Sequence, residues 1–102
     1  IRDRKALTRD GIFVIVATID SKTGKINKSP DIISRGFVYL RENQDLLRQA
    51  RYVAKRTIED NTVNVPEVDY EFVKERVTES IKKFLFQQTK KRPMVLPVIL
   101  GA

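Results

Sequence analysis

The chain contains no histidine and no cysteine. The first absence removes the imidazole that catalytic zinc sites and Ser-His-Asp triads depend on. The second removes disulfides and thiolate chemistry, and is in keeping with an intracellular origin. Glycine is also sparse: the four glycines are scattered, and none builds a phosphate-cradling loop. No apolar run is long enough to span a membrane, and no signal peptide is evident. A metal site would have to be built from carboxylates alone. Asp10, Asp20 and Asp31 could in principle hold magnesium. All three fall at predicted turns, however, where aspartate serves local hydrogen bonding. A stand-alone enzyme is not expected.

What is present is one domain's worth of chain. The 102 residues are 41% hydrophobic and carry a net charge of +7, with a pI near 9.9. A chain of this size buries roughly 60–68% of the surface its unfolded form exposes. The opening Ile1-Arg2-Asp3-Arg4 lacks an initiator methionine and reads as a piece of something longer. The basic balance admits a polyanionic partner such as RNA. In sequence, though, the cations are spread thinly. Arg2, Arg4, Lys5 and Arg9 lie at the start, Lys82 and Lys83 further on, and Lys90, Lys91 and Arg92 near the end. No block of like charge marks a nucleic-acid arm.

Residues 1–9 read as a lead-in from an upstream domain, and residues 10–102 as the domain itself. After the Arg9-Asp10-Gly11 turn signal, Ile12 to Ile19 is a β-branched apolar run of strand length. It reads as a strand covered on both faces or central in a sheet. Asp20 to Lys25 is a hairpin turn, with Gly24 available for positive φ. The return strand starts near Ile26, is interrupted at Ser29-Pro30, and resumes from Asp31 to Tyr39. Gly36 within it suggests a bulge or a close backbone approach.

Two amphipathic helices follow. The first has an apolar stripe of Leu46, Leu47, Ala50, Val53, Ala54, Thr57 and Ile58, with Arg48, Arg51 and Lys55 on another face. The second is capped by Asp69 and runs through Tyr70, Val73, Val77, Ile81, Phe84 and Leu85. Lys90, Lys91 and Arg92 are expected in its last turn, where they suit the helix dipole, and Pro93 is expected to stop it. Met94 to Leu100 is a last strand, with Pro97 on a free edge. The order β-β-α-α-β, with one apolar stripe per helix, predicts an α+β two-layer sandwich: a three-stranded sheet with both helices on one face and the last strand beside the first.

Arg35-Gly36-Phe37-Val38-Tyr39 half-matches the strand motif of the RNA recognition module. It fails in detail, because Val38 stands where a small residue belongs. It fails in topology too, because that module places a helix between its first two strands. A fuller set of blocks spans nearly the whole chain. The Asp10-Gly11 turn precedes the first strand, and the hairpin Thr18-Ile19-Asp20 to Thr23-Gly24-Lys25 follows. Then come Pro30-Asp31-Ile32-Ile33-Ser34-Arg35-Gly36-Phe37-Val38-Tyr39, Arg41-Glu42, and the ending Arg92-Pro93-Met94-Val95-Leu96-Pro97-Val98-Ile99. In this order and spacing the chain resembles the C-terminal domain of the bacterial ribonuclease J family. It departs slightly at Asn27-Lys28-Ser29, where a glycine is expected before Pro30.

The resemblance implies a cytoplasmic parent with a metallo-β-lactamase domain, an inserted β-CASP domain and this C-terminal domain. Such a parent is a zinc-dependent ribonuclease of RNA processing and decay, with 5′-to-3′ exonuclease and endonuclease activity and with its metal ligands upstream. The fragment itself is expected to hold no cofactor. The resemblance further implies a non-catalytic role in self-association, as a dimer, and in support of the upstream catalytic domains; an auxiliary RNA-binding role is the alternative. Ser34, Arg35 and Gly36 read either as a strand kink, with Arg35 paired to Asp31 or Glu42, or as a point where Arg35 enters an interface. Arginine followed by the aromatics Phe37 and Tyr39 has the composition of an interface hot spot, although these two aromatics, which share a strand face, read as core before interface. The face formed by Arg48, Arg51 and Lys55 reads as solvated, or as an RNA-steering surface. The open sheet edges offer another route to a symmetric dimer.

Overall fold

The computed structural model describes residues 10–36 and 44–101. The expected lead-in, Phe37, Tyr39 and Glu42 lie outside these residues. The elements are β1 (Ile12–Ile19), β2 (Asp31–Arg35), α1 (Gln44–Asp60), α2 (Tyr70–Thr89) and β3 (Met94–Gly101). They form a mixed three-stranded sheet in the order β2-β1-β3. β1 runs antiparallel to β2 and parallel to β3. The expected α+β architecture is therefore the observed one, with the last strand beside the first. The direct β1–β2 hairpin also excludes the RNA recognition module.

β1 alternates strictly. Phe13, Ile15, Ala17 and Ile19 are buried, and the residues between them are not. From β3, Val95 and Ile99 join the same buried side. The helices cover this side with Leu46, Ala50, Ala54 and Ile58 of α1 and Val73, Val77, Ile81 and Leu85 of α2. Each set recurs every three or four residues, so each helix presents one stripe to one shared core. Leu47, Val53, Tyr70 and Phe84 pack around its margin. Pro97 sits in the edge strand β3, where a missing ladder donor is tolerated.

The hairpin closes through Asp20 and Lys25, whose backbones bond at 2.9 Å, and Ile19 bridges Ile26. Regular pairing then resumes only at Val16 opposite Asp31. Ala17 and Thr18 on β1 thus face the longer stretch Asn27 to Pro30 on the return strand. Pro30 lies in a bulge, as a residue without a ladder donor should. The described strand β2 ends at Arg35 before Gly36, and residues 37–39 of the anticipated extended stretch lie outside the described residues. Gly36 has φ of 74°, and a Cβ there would stand 3.3 Å from the Gly11 Cα.

Asp69 caps α2 by accepting the Phe72 backbone N–H at 3.1 Å. The other end differs from the sequence expectation. α2 finishes at Thr89, and Lys90 adopts a left-handed conformation at φ 62°, its N–H donating to the Phe86 carbonyl. The left-handed turn ends the helix, not Pro93, and Lys90, Lys91 and Arg92 fall beyond its last turn.

One joint locks the hairpin to the helical layer. The Thr62 hydroxyl, buried in the α1–α2 turn, donates to the Gly24 carbonyl. The Ile26 N–H donates to Glu59 Oε2 at 2.9 Å. Gly24 has φ of 76°, and a Cβ there would lie 2.3 Å from the Thr62 carbonyl oxygen. Gly24→Ala therefore meets both a left-handed penalty and a backbone clash, and is expected to cost about 2–4 kcal/mol. Gly36→Ala faces only the left-handed penalty and a tight contact, and is expected to cost about 1–2 kcal/mol. Urea unfolding of both variants checks the order; equal costs would mean that the joint yields freely.

Candidate functional site

The sequence-derived candidates are not gathered in one place. Arg35 closes β2 opposite Ile12 and is exposed. Among the described residues it joins no ion pair; the pairs there are Arg48–Asp45, Arg56–Asp60, Lys74–Glu71 and Arg76–Glu79. Its candidate companions Phe37 and Tyr39 lie outside the described residues. Arg48, Arg51 and Lys55 do share a face of α1. Arg48 is drawn to Asp45, Arg51 is half-buried, and Lys55 is exposed. On the same helix the Arg56 guanidinium is held above its ordinary range, first by its hydrogen bond to the Tyr52 hydroxyl and then by Asp60.

The three aspartates take separate roles. Asp20 organises the hairpin, accepting the Lys22 N–H on its carboxylate at 2.8 Å. Asp10 Oδ2 accepts the Arg92 backbone N–H at 2.8 Å. Asp31 is the first residue of β2, opposite Val16, where the return strand was expected to resume after the turn. Among the described residues no three of the acidic side chains come together in a way that could hold a metal ion.

Two features emerge that the sequence did not single out. The first is the outer face of the sheet. The β1–β3 register places Ile12 beside Met94, Val14 beside Leu96, Val16 beside Val98 and Thr18 beside Leu100. Ile33 of β2 lies against Val14 on the other flank. Met94, at the end of the row, also borders the cleft beside α2, while no described element covers Leu96, Val98, Leu100 or Ile33. Leu96 and Val98 are each 38% exposed, Ile33 51% and Leu100 52%. The unbroken apolar run of β1 does have a residue pattern suited to burial on both faces, but the helices cover only one. The signal was legible in the absence of polar alternation along β1 and β3; what the sequence did not say is which face lacks a cover.

The second is a basic cleft where α2 hands over to β3. Lys82, Lys83, Phe86, Arg92, Pro93, Met94 and Val95 line a space of about 570 Å³. The Arg92 guanidinium carbon lies 4.4 Å from the Phe86 ring centroid, and Lys90 Nζ lies 5.2 Å from it. These are cation–π distances. Beyond Glu79 the chain has no acid at all. Glu79 itself is paired with Arg76, and the carboxylate of Asp10 is engaged by the Arg92 N–H. Cations that look scattered along the chain are thus collected by the left-handed turn at Lys90. The missed signal was this acid-free C-terminal stretch with Phe86 inside it.

The backbone of the cleft is pinned by two bonds, Arg92 N–H to Asp10 and Met94 N–H to the Gly11 carbonyl at 2.9 Å. Asp10→Ala removes the first and is expected to lower stability by about 0.5–1.5 kcal/mol, whereas Asp10→Asn keeps an acceptor and stays near the parent value. Chemical denaturation of the two variants checks this; an equal loss in both would point to charge, not to the hydrogen bond.

Comparison with known proteins supplies the wider frame. The family model of the ribonuclease J C-terminal domain matches residues 1–102. The chain is 42% identical to Ribonuclease J 2 of Staphylococcus aureus (strain NCTC 8325 / PS 47) over 97% of its own length. It is 40% identical to Ribonuclease J 2 of Staphylococcus epidermidis over the same share. It spans 18% of the length of each of these curated relatives. The match of the family model over the whole chain, with relatives well above 30% identity, shows that the chain belongs to the ribonuclease J C-terminal domain family.

Proposed function

We propose that this domain is a non-catalytic C-terminal part of a ribonuclease J-type enzyme, and that it acts in self-association as a dimer and in support of the catalytic domains. The parent in this reading is a cytoplasmic RNA-processing and RNA-decay enzyme with 5′-to-3′ exonuclease and endonuclease activity. Its metallo-β-lactamase and β-CASP domains lie upstream. Zinc is assigned to those domains, because this chain offers neither imidazole nor thiolate.

The observation that carries the self-association reading is the uncovered apolar sheet face. The eight-residue strands β1 and β3 present roughly 250 Å² of flat apolar area by strand spacing and rise, and Ile33 of the five-residue β2 extends it. That is the scale at which an exposed apolar patch on a soluble protein is commonly a contact surface. Its β1–β3 rows are aliphatic apart from Thr18 and stand in register, with Arg35 and Asp31 of β2 on either side of Ile33 at one margin, so a second copy packing face to face about a two-fold axis buries the aliphatic rows against each other. A second reading, an auxiliary RNA-binding domain guiding substrate to the parent's active site, is favoured by the basic cleft at Phe86.

Light scattering across protein concentrations in high salt tests the first reading. A dimer held by apolar burial is expected to persist, since such burial is little screened. The double substitution Leu96→Lys and Val98→Lys is expected to yield a monomer with an unchanged circular-dichroism spectrum. A parent chain that is monomeric at every concentration sinks intrinsic self-association. A variant that stays dimeric removes the sheet face as its basis.

A further inference from the structure

The geometry points to the Phe86 cleft as a binding site for single-stranded RNA, in which a base stacks on the Arg92–Phe86 pair while Lys82, Lys83 and Lys90 take the flanking phosphates. The inference rests on the auxiliary RNA-binding reading and gives it a location, away from the Arg48, Arg51 and Lys55 face of α1.

Three observations converge on it. The first is an excess of positive charge. Lys82, Lys83 and Arg92 line the cleft, Lys90 Nζ lies 5.2 Å from the Phe86 ring, and no side-chain ion pair among the described residues involves any of the four. On α1, by contrast, Arg48 and Arg56 are both engaged by carboxylates. Unpaired cations retain the counterion-release gain that drives binding to a phosphate backbone. The second is an apolar floor. Pro93 and Val95 are buried and Met94 half-buried, so the base of the cleft is apolar beneath a basic rim. Its volume of about 570 Å³ lies within the range that small-molecule sites use. The third is a stacking plane. Arg92 lies over the Phe86 ring yet remains exposed. Guanidinium and aromatic planes are the surfaces on which unpaired bases stack. An acidic polypeptide would use the cations but would gain nothing from the floor or the plane, so single-stranded nucleic acid fits the whole set of features better.

The site is held rigidly enough for this purpose. The left-handed Lys90 turns the chain back over α2, and the bonds to Asp10 and Gly11 fix residues 92–94 against the start of β1.

Fluorescence anisotropy with a labelled single-stranded oligouridylate tests the proposal on the 102-residue chain. The parent chain is expected to bind with an affinity that falls steeply with salt. Lys82→Glu combined with Lys83→Glu should weaken binding at least tenfold. Their neutral counterpart, Lys82→Gln with Lys83→Gln, should make the slope of log K against log salt less negative by about 1.4 if two phosphate contacts are lost. Phe86→Leu, which keeps apolar volume and all charges, should weaken binding about tenfold through the lost ring. Circular dichroism confirms that each variant is folded. Should Phe86→Leu unfold, Arg92→Lys serves in its place, since it keeps the charge and removes the plane. Absence of binding by the parent chain overturns the site and leaves self-association standing, because light scattering reads that separately. Loss of binding on substitution of Arg48, Arg51 and Lys55, with the cleft variants unaffected, also overturns it. Equal competition by polyglutamate of matched charge would reassign the cleft to an acidic protein segment.

Discussion

The structure depends on β1 being bonded on both edges and apolar on both faces. Among the described strands it alone pairs with two others, antiparallel to β2 and parallel to β3. Phe13, Ile15, Ala17 and Ile19 point into the helical layer, and Ile12, Val14 and Val16 point away from it. One strand thus founds the core and the outer apolar face together. Burying the first set organises two helices into a layer. The second set has no counterpart in the described chain, and this asymmetry of cover underlies the functional reading.

Around that strand, small features do large amounts of positioning. The Gly24 carbonyl and the Thr62 hydroxyl join the hairpin turn to the interhelical turn, elements far apart in sequence. The left-handed residue at Lys90 decides where three consecutive cations fall. Had α2 continued through Arg92, these side chains would radiate around the helix axis at about 100° per residue. Ended at Thr89, the chain reverses and sets Arg92 and Lys90 on one aromatic ring.

Much of the fold was legible because it is written in local periodicity. The continuous β-branched run of β1 specifies a strand, and the stripes Leu46–Ile58 and Val73–Leu85 each specify a helix and its buried side. Gly24, Pro30 and Asp69 act through backbone rules that need only a few neighbours. What was not legible depends on contacts across the fold. Nothing near Lys90 announces a left-handed residue where glycine is the usual choice. The acid-free stretch beyond Glu79 becomes a patch only when β3 returns beside β1 and draws Pro93 and Met94 under Phe86. The candidate site follows the same division. Arg48, Arg51 and Lys55 share a face of α1 by local spacing, as does the i,i+3 pair of Arg48 with Asp45, whereas the gathering of Lys82, Lys83 and Arg92 depends on the return of the chain after Lys90.

The parallel pairing of β1 with β3 also has a mechanical side. Their register runs unbroken from Ile12 beside Met94 to Ile19 beside Gly101. The two strands point the same way, so tension applied between the start of β1 and the end of β3 pulls them past one another along their length. Every hydrogen bond of the ladder then shares the load at once, where an antiparallel pair held at adjacent ends would open rung by rung like a zip. Whatever is attached at those two points is coupled through this shared ladder.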